Sequence, residues 1–215
     1  MRQHFFILAT VLYFFIPSSV LAQKEVTALQ VDYRIEIESG RDPKRPEVRQ
    51  SPIVFYNRMY IYNERAVYVS LDSSKTWKDY QQNEKSIFWR KGKTSYKYEY
   101  KDTNCCIMYS SMKNRYRYES TVVVEKIIGR NTKKVMVYDD VNNKNYLVWA
   151  DHSIGAAISP IGFMNVGGLV MRLRNENVVY EVRAISKISV DESFFDIDTE
   201  KYKFSEKAFR KGIIE

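Results

Sequence analysis

A two-residue period dominates this chain and restricts what it can fold into. Val31-Asp32-Tyr33-Arg34-Ile35-Glu36-Ile37-Glu38 alternates apolar and charged side chains, the pattern of a strand with one face buried. Lys93–Lys101 repeats it, with Tyr96, Tyr98 and Tyr100 on one side and Lys97, Glu99 and Lys101 on the other. Runs at Ile53–Tyr56, Met59–Tyr62, Arg65–Leu71, Ser86–Lys91, Arg115–Lys126, Lys133–Tyr138, Asn145–Val148, Leu169–Arg174 and Val178–Ser189 read as further strands. Turn-forming clusters separate several of them: Asn63-Glu64, Asp139–Lys144 and Asn175-Glu176-Asn177. Helical periodicity never persists beyond two turns, and the strand–helix alternation that parallel sheets require is missing from the sequence. Hairpins local in sequence, about ten strands in all, predict an antiparallel, mainly β domain. Its irregular parts are Ser39–Pro52, read as an exposed loop, and Asp72–Glu84, polar enough for a loop or short helix. A short helix is expected at Glu206–Lys211, capped by Ser205.

One stretch breaks the period. Tyr146–Arg174 starts as a strand, passes through Gly155, Pro160, Gly162, Gly167 and Gly168, and re-enters strand at Leu169. Glycine allows positive φ and close backbone approach, and proline offers no N–H, so this is no regular ladder. Yet Ile154, Ile158, Ile161, Phe163, Met164 and Val166 are too apolar for a solvated loop. The segment is predicted to be an apolar crossover packed on the sheet.

The N-terminus predicts the compartment. Arg2 is the only charged residue before Phe5–Ile16, a run apolar except for Thr10, and Val20-Leu21-Ala22 follows Pro17-Ser18-Ser19. That is the layout of a cleaved secretory signal peptide, here residues 1–22, leaving 23–215 as a single antiparallel β domain. The apolar run is shorter than the roughly 20 residues of a membrane span. No later window approaches one, so no integral membrane segment is expected after cleavage. Gln23, rather than cysteine, follows the cut, so no lipoprotein anchor is expected. Periplasm is the expected location, with secretion as second choice. Lys and Arg outnumber Asp and Glu by 34 to 26, a formal net charge of +8, which favours anionic head groups or acidic partners. The charge is interspersed with acids and tyrosines, the mark of a solvated, mildly basic surface. Cys105 and Cys106 are adjacent, with Cα atoms about 3.8 Å apart, below the usual disulfide range. On alternating strand faces they would diverge, so no disulfide framework is expected.

Within the crossover, Trp149, Ile154, Ser159-Pro160-Ile161-Gly162-Phe163 and Asn165-Val166-Gly167-Gly168-Leu169-Val170 resemble, without gaps, the signature of the GLPGLI family. Val124-Glu125-Lys126-Ile127-Ile128-Gly129 resembles that family's strand ending in Ile-x-Gly, and Val31-Asp32-Tyr33 its start. Asn165 stands for the motif's first glycine, Val166 for leucine and Gly167 for proline, while Gly168 and Leu169 keep their places; Arg130 and Asn131 occupy the region where the family often carries a cysteine. The resemblance is to a divergent member. It implies an exported protein of Bacteroidota-type bacteria, in the cell envelope, with a half-barrel kinship to periplasmic lipoprotein carriers. Trp149, Pro160, Phe163, Gly168 and Leu169 are then the motif residues, structural or binding. With the periodicity, it predicts a curved antiparallel sheet or half-open barrel with an apolar irregular crossover and few short helices.

Chemistry is sparse. After signal removal the one histidine is His152, beside Asp151 and Ser153, and three consecutive residues cannot converge as a Ser–His–Asp triad. Asp139-Asp140 and Asp191-Glu192 sit near strand ends, where turns carry acids, rather than as a carboxylate pair flanking a cleft. Cys105, Cys106, Met108 and Met112 offer soft sulfur suited to copper, but adjacent cysteines on a strand diverge. Arg115-Tyr116-Arg117-Tyr118 interleaves cations with aromatics, yet a strand puts the two types on opposite faces, against nucleic-acid stacking. Tyr33, Tyr96, Tyr98, Tyr100, Tyr116 and Tyr118 would line the concave side of a curved sheet, as a pocket for an apolar ligand. The sequence therefore predicts a non-catalytic binding or interaction module, without cofactor, for an apolar small molecule or lipid or for an outer-membrane protein. The alternative is a soft-metal (copper) handling protein using Cys105 and Cys106.

Overall fold

The computed structural model of the protein describes residues 24–38, 41–42, 45–49, 51–92, 94–99, 107–111 and 116–197. The signal peptide, Tyr100, Cys105, Cys106, Met112 and the helix expected at Glu206–Lys211 lie outside the described residues. In chain order the strands are β1 (Glu25–Ile37), β2 (Arg41–Asp42), β3 (Arg45–Arg49), β4 (Ile53–Tyr62), β5 (Arg65–Ser70), β6 (Ser86–Lys91), β7 (Thr94–Glu99) and β8 (Ile107–Ser111). They continue with β9 (Tyr116–Ile127), β10 (Arg130–Asp139), β11 (Lys144–Asp151), β12 (Ile158–Ser159), β13 (Gly162–Phe163), β14 (Leu169–Arg174) and β15 (Val178–Asp191). Three short 3₁₀ turns, Trp77–Asp79, Gln82–Glu84 and Glu192–Phe195, supply the helical content of the described residues.

Eleven strands form one antiparallel sheet in the order β8-β7-β6-β5-β4-β1-β15-β14-β11-β10-β9. The chain lays down β1, meanders outward through β4–β8 to one edge, crosses to β9 at the far edge, and meanders back until β15 pairs with β1. Four residues, 112–115, separate those two edges in the chain. Laid flat, eleven strands would hold the edges about 48 Å apart. The link from Ser111 to Tyr116 spans at most about 19 Å. The sheet must therefore curl until its edges approach. No backbone pairing joins β8 to β9 among the described residues, so it stays an open half-barrel.

Cross-strand partners share a face, and the register sorts the core. Tyr33, Met59, Ile61, Ala66 and Phe88 occupy the inner face, where the Tyr33 hydroxyl donates to the Val170 carbonyl at 2.8 Å. The predicted crossover lies against this face. Its β12–β13 hairpin places Ile158 and Phe163 against that cluster, and Met164 and Val166 against Val135, Val137 and Val148. Glycine and proline make that path possible: Gly162 adopts φ +121, and buried Pro160 sits in the two-residue turn. The opposite face carries a second core in which Tyr60, Val67, Ile87 and Tyr98 are covered by Tyr80, Phe194 and Phe195.

Two expectations change. The tyrosines do not form one stripe: Tyr98, Ile87, Val67 and Tyr60 are successive register partners on the second core, with Tyr96 packed there too, whereas Tyr33 faces inward. The two-residue period gives faces within a strand, but only register gives them between strands. The sequence also leaves β8 unassigned, starts β1 at Val31 instead of Glu25, and divides β4 in two. Val26 and Ala28 pack on the second core, so β1 buries one face at its start and the other at its end. That change of buried face hides its first half from a search for one alternation.

Candidate functional site

Two of the motif residues, Gly168 and Leu169, meet the turn where β11 ends. The Asp151 carboxylate, 3 % exposed, takes the Ser153 backbone N–H at 2.9 Å and the Ser153 hydroxyl at 2.7 Å on Oδ1, and the Arg130 Nε–H on Oδ2. Arg130 Nη2 also donates to Ser153 Oγ at 3.0 Å. His152 turns the other way: its Nδ1 lies 3.0 Å from the Gly167 carbonyl. A carbonyl only accepts, so Nδ1 carries the proton there. The three consecutive side chains thus serve a turn, and are not aligned as nucleophile, base and orienting acid. The two acid pairs also serve turns or ion pairs. Asp139 accepts from Asn142 and Val141 N–H, Asp140 pairs with Arg117, Asp191 caps Ser193, and Glu192 pairs with Arg65 and Lys24.

Gly168 is what brings β14 up to this turn. A Cβ there would lie 2.4 Å from the Asp151 carbonyl oxygen and 2.8 Å from His152 Cα. Leu169 N–H then donates to the Ile154 carbonyl at 3.0 Å. Leu169 and Phe163 are buried in the inner core. Trp149 belongs to the same buried cluster, and its register partners Lys134 and Arg172 hold their cationic groups 5.5 and 5.2 Å from its ring. The five motif residues are thus buried parts of the scaffold.

Asp151 gives the turn a pH dependence. Burial raises its carboxyl, but the Ser153 and Arg130 hydrogen bonds outweigh that and hold it below the ordinary value of 3.8. A depressed folded pKa stabilises the fold above the unfolded value, and that contribution disappears as pH falls through the folded value. The melting temperature of the protein should therefore exceed that of Asp151→Asn most at neutral pH. In melts at descending pH the gap should narrow below about pH 4.

Beside the turn lies a cleft of about 550 Å³ lined by Val124, Arg130, Asn131, Lys133, His152 and Ser153. One wall is the edge strand β9, which bulges. Ser120 pairs with Val135 and Val124 with Lys133, so Thr121, Val122 and Val123 stand opposite Lys134 alone. The Thr121 hydroxyl pins the bulge, donating to the Lys134 carbonyl at 2.9 Å and accepting from Val123 N–H at 3.2 Å. Val122 is 98 % exposed, Val124 59 % and Val123 48 %. Ile128, also exposed, follows in the β9–β10 turn at φ +44. Sequence reasoning missed this rim, because Arg115–Lys126 reads simply as a strand and no local signal marks Val122-Val123-Val124 as uncovered.

Register also sorts the charges of the rim. Val124 and Lys126 pair with Lys133 and Asn131 and share a face with them. Glu125 turns to the opposite face, where it meets Arg172 at 2.6 Å, and Glu119 accepts from Tyr138 there. Among the described residues no three His, Cys, Asp or Glu side chains are grouped to hold a metal ion. No helix of the described residues is long and apolar enough to cross a membrane.

Fold and rim together define a class: an open antiparallel half-barrel filled by its own crossover, with an apolar, basic edge. No family model and no curated protein sequence matches the chain. Among solved structures it is similar to PNGF-II in two crystal forms. The P21 form aligns with a TM-score of 0.57 at 16 % identity, covering 88 % of this chain and 33 % of that one. The C2 form gives 0.54 at the same identity and coverage. This chain thus spans about a third of the length of those solved chains, and the likeness is one of fold.

Proposed function

We propose that the protein is an exported, non-catalytic binding module of the bacterial cell envelope, periplasmic and of the GLPGLI type, that works through its β9 rim and not through a ligand held inside the half-barrel. One observation carries the choice. Between sheet and crossover the space is occupied by Phe163, Met164, Val166 and Ile158, each no more than 7 % exposed, while Val122–Val124 face solvent. A carrier of small apolar molecules needs a roomy cavity where this fold has side chains. An apolar strip left outside the core is instead the usual sign of an interaction surface. The match to one third of PNGF-II is in keeping with a modular unit. Native mass spectrometry of the protein purified from periplasm tests the reading. The expected mass is that of the bare chain from Gln23; a lipid-sized adduct lost on denaturation would restore the internal carrier, and a metal-sized increment would favour Cys105 and Cys106.

A further inference from the structure

We infer that the β9 rim docks on an anionic membrane surface, with Val122 and its neighbours entering the lipid and Lys126 and Lys133 meeting the phosphates. The inference rests on the rim being the working face. Its first support is the bulge. Two more residues than the ladder needs are inserted into β9 and held out by Thr121, placing Val122 almost wholly in water. An apolar tip beside cations is how peripheral proteins engage the interface.

The second support is independent of the first. Register gathers Val124, Lys126 and Lys133 on one face and sends Glu119 and Glu125 to the other. Neither Lys126 nor Lys133 has an ion pair among the described residues, and both are exposed. Of the other charges lining the cleft, Asp151 is neutralised by Arg130. Cations with no acid facing them suit a phosphate-bearing surface, to which juxtamembrane lysines are drawn. A second copy adding its own strand suits the rim less well. Thr121–Val123 are out of ladder register, so an incoming strand would lose pairing where the valines are.

The test is flotation of the full chain with phosphatidylcholine vesicles, with and without phosphatidylglycerol. Binding is expected only to the anionic vesicles and should weaken with added salt. Val122→Asp should lower the partition coefficient at least about tenfold, and Lys126→Glu and Lys133→Glu about fivefold or more each. Melting temperatures should stay unchanged, since these side chains are exposed. Val141→Asp, at the exposed β10–β11 turn, should float like the parent protein. Absence of flotation, or flotation indifferent to Val122→Asp, overturns the inference. A photo-crosslinking amino acid in place of Val122 separates the two ideas in cells. A discrete protein adduct without flotation ends the lipid inference and leaves the rim reading standing, whereas neither signal ends both.

Discussion

Phe194→Ala is expected to lower the stability of the protein by about 3–5 kcal/mol, read as a melting temperature lower by roughly 10 °C or more. Phe194 closes the second core from the C-terminal turn. Its ring stands edge-on to Tyr60 at 5.1 Å, to Trp77 at 5.5 Å and to Phe195 at 5.6 Å, with Lys85 Nζ over it at 4.3 Å. Deleting it opens a void among three aromatic rings that cannot collapse together, because Tyr60 belongs to a central strand. Asp191 caps the turn and Arg65 holds Glu192 and Asp196, so the backbone keeps its place around the hole. Phe55→Ala, at the exposed start of β4, should change the melt far less. Equal losses at the two positions would show that the C-terminal turn does not close this core.

Gly168→Ala has the second large effect, through backbone rather than side chains. The added methyl would lie 2.4 Å from the Asp151 carbonyl oxygen, a contact that no rotamer change relieves. Either β14 or the Asp151–Ser153 turn must move, and both belong to the same network of Arg130, Ser153 and Leu169 hydrogen bonds. Overpacking of this kind typically costs about 1–3 kcal/mol, more where backbone must shift. The upper end or beyond is expected in chemical denaturation, with Asp151 losing its partners. Gly155→Ala is the matched control: its Cβ meets nothing within 4 Å, so a loss of under about 1 kcal/mol is expected. A Gly168→Ala protein as stable as Gly155→Ala would refute the close packing.

These two positions show how far the sequence could be read. The alternation at Val31–Glu38 makes β1 visible because Val31, Tyr33 and Ile35 are buried on one face there. Gly168 is visible as an unusual residue, but its reason is a carbonyl belonging to Asp151, and no local pattern encodes that contact. The crossover is legible from composition, since apolar residues among glycines and a proline have to pack without forming a ladder. The rim is not. Val122-Val123-Val124 is a run of strand-favouring residues, and the position of β9 at an edge leaves it uncovered. Edge and centre are properties of strand order, and strand order follows from the closing β1–β15 pair.

That pair has a bearing on how the chain acquires its shape. Glu25 lies opposite Asp191 and Ile37 opposite Val178, so the middle of the sheet joins the first described strand to the last. Every other neighbouring pair except β1–β4 and β11–β14 is a hairpin of adjacent strands, quick to form from local sequence. The seam at β1 must wait for β15, so search over long loops sets the pace of folding. During synthesis the two meanders therefore remain halves without a shared centre until β15 reaches β1.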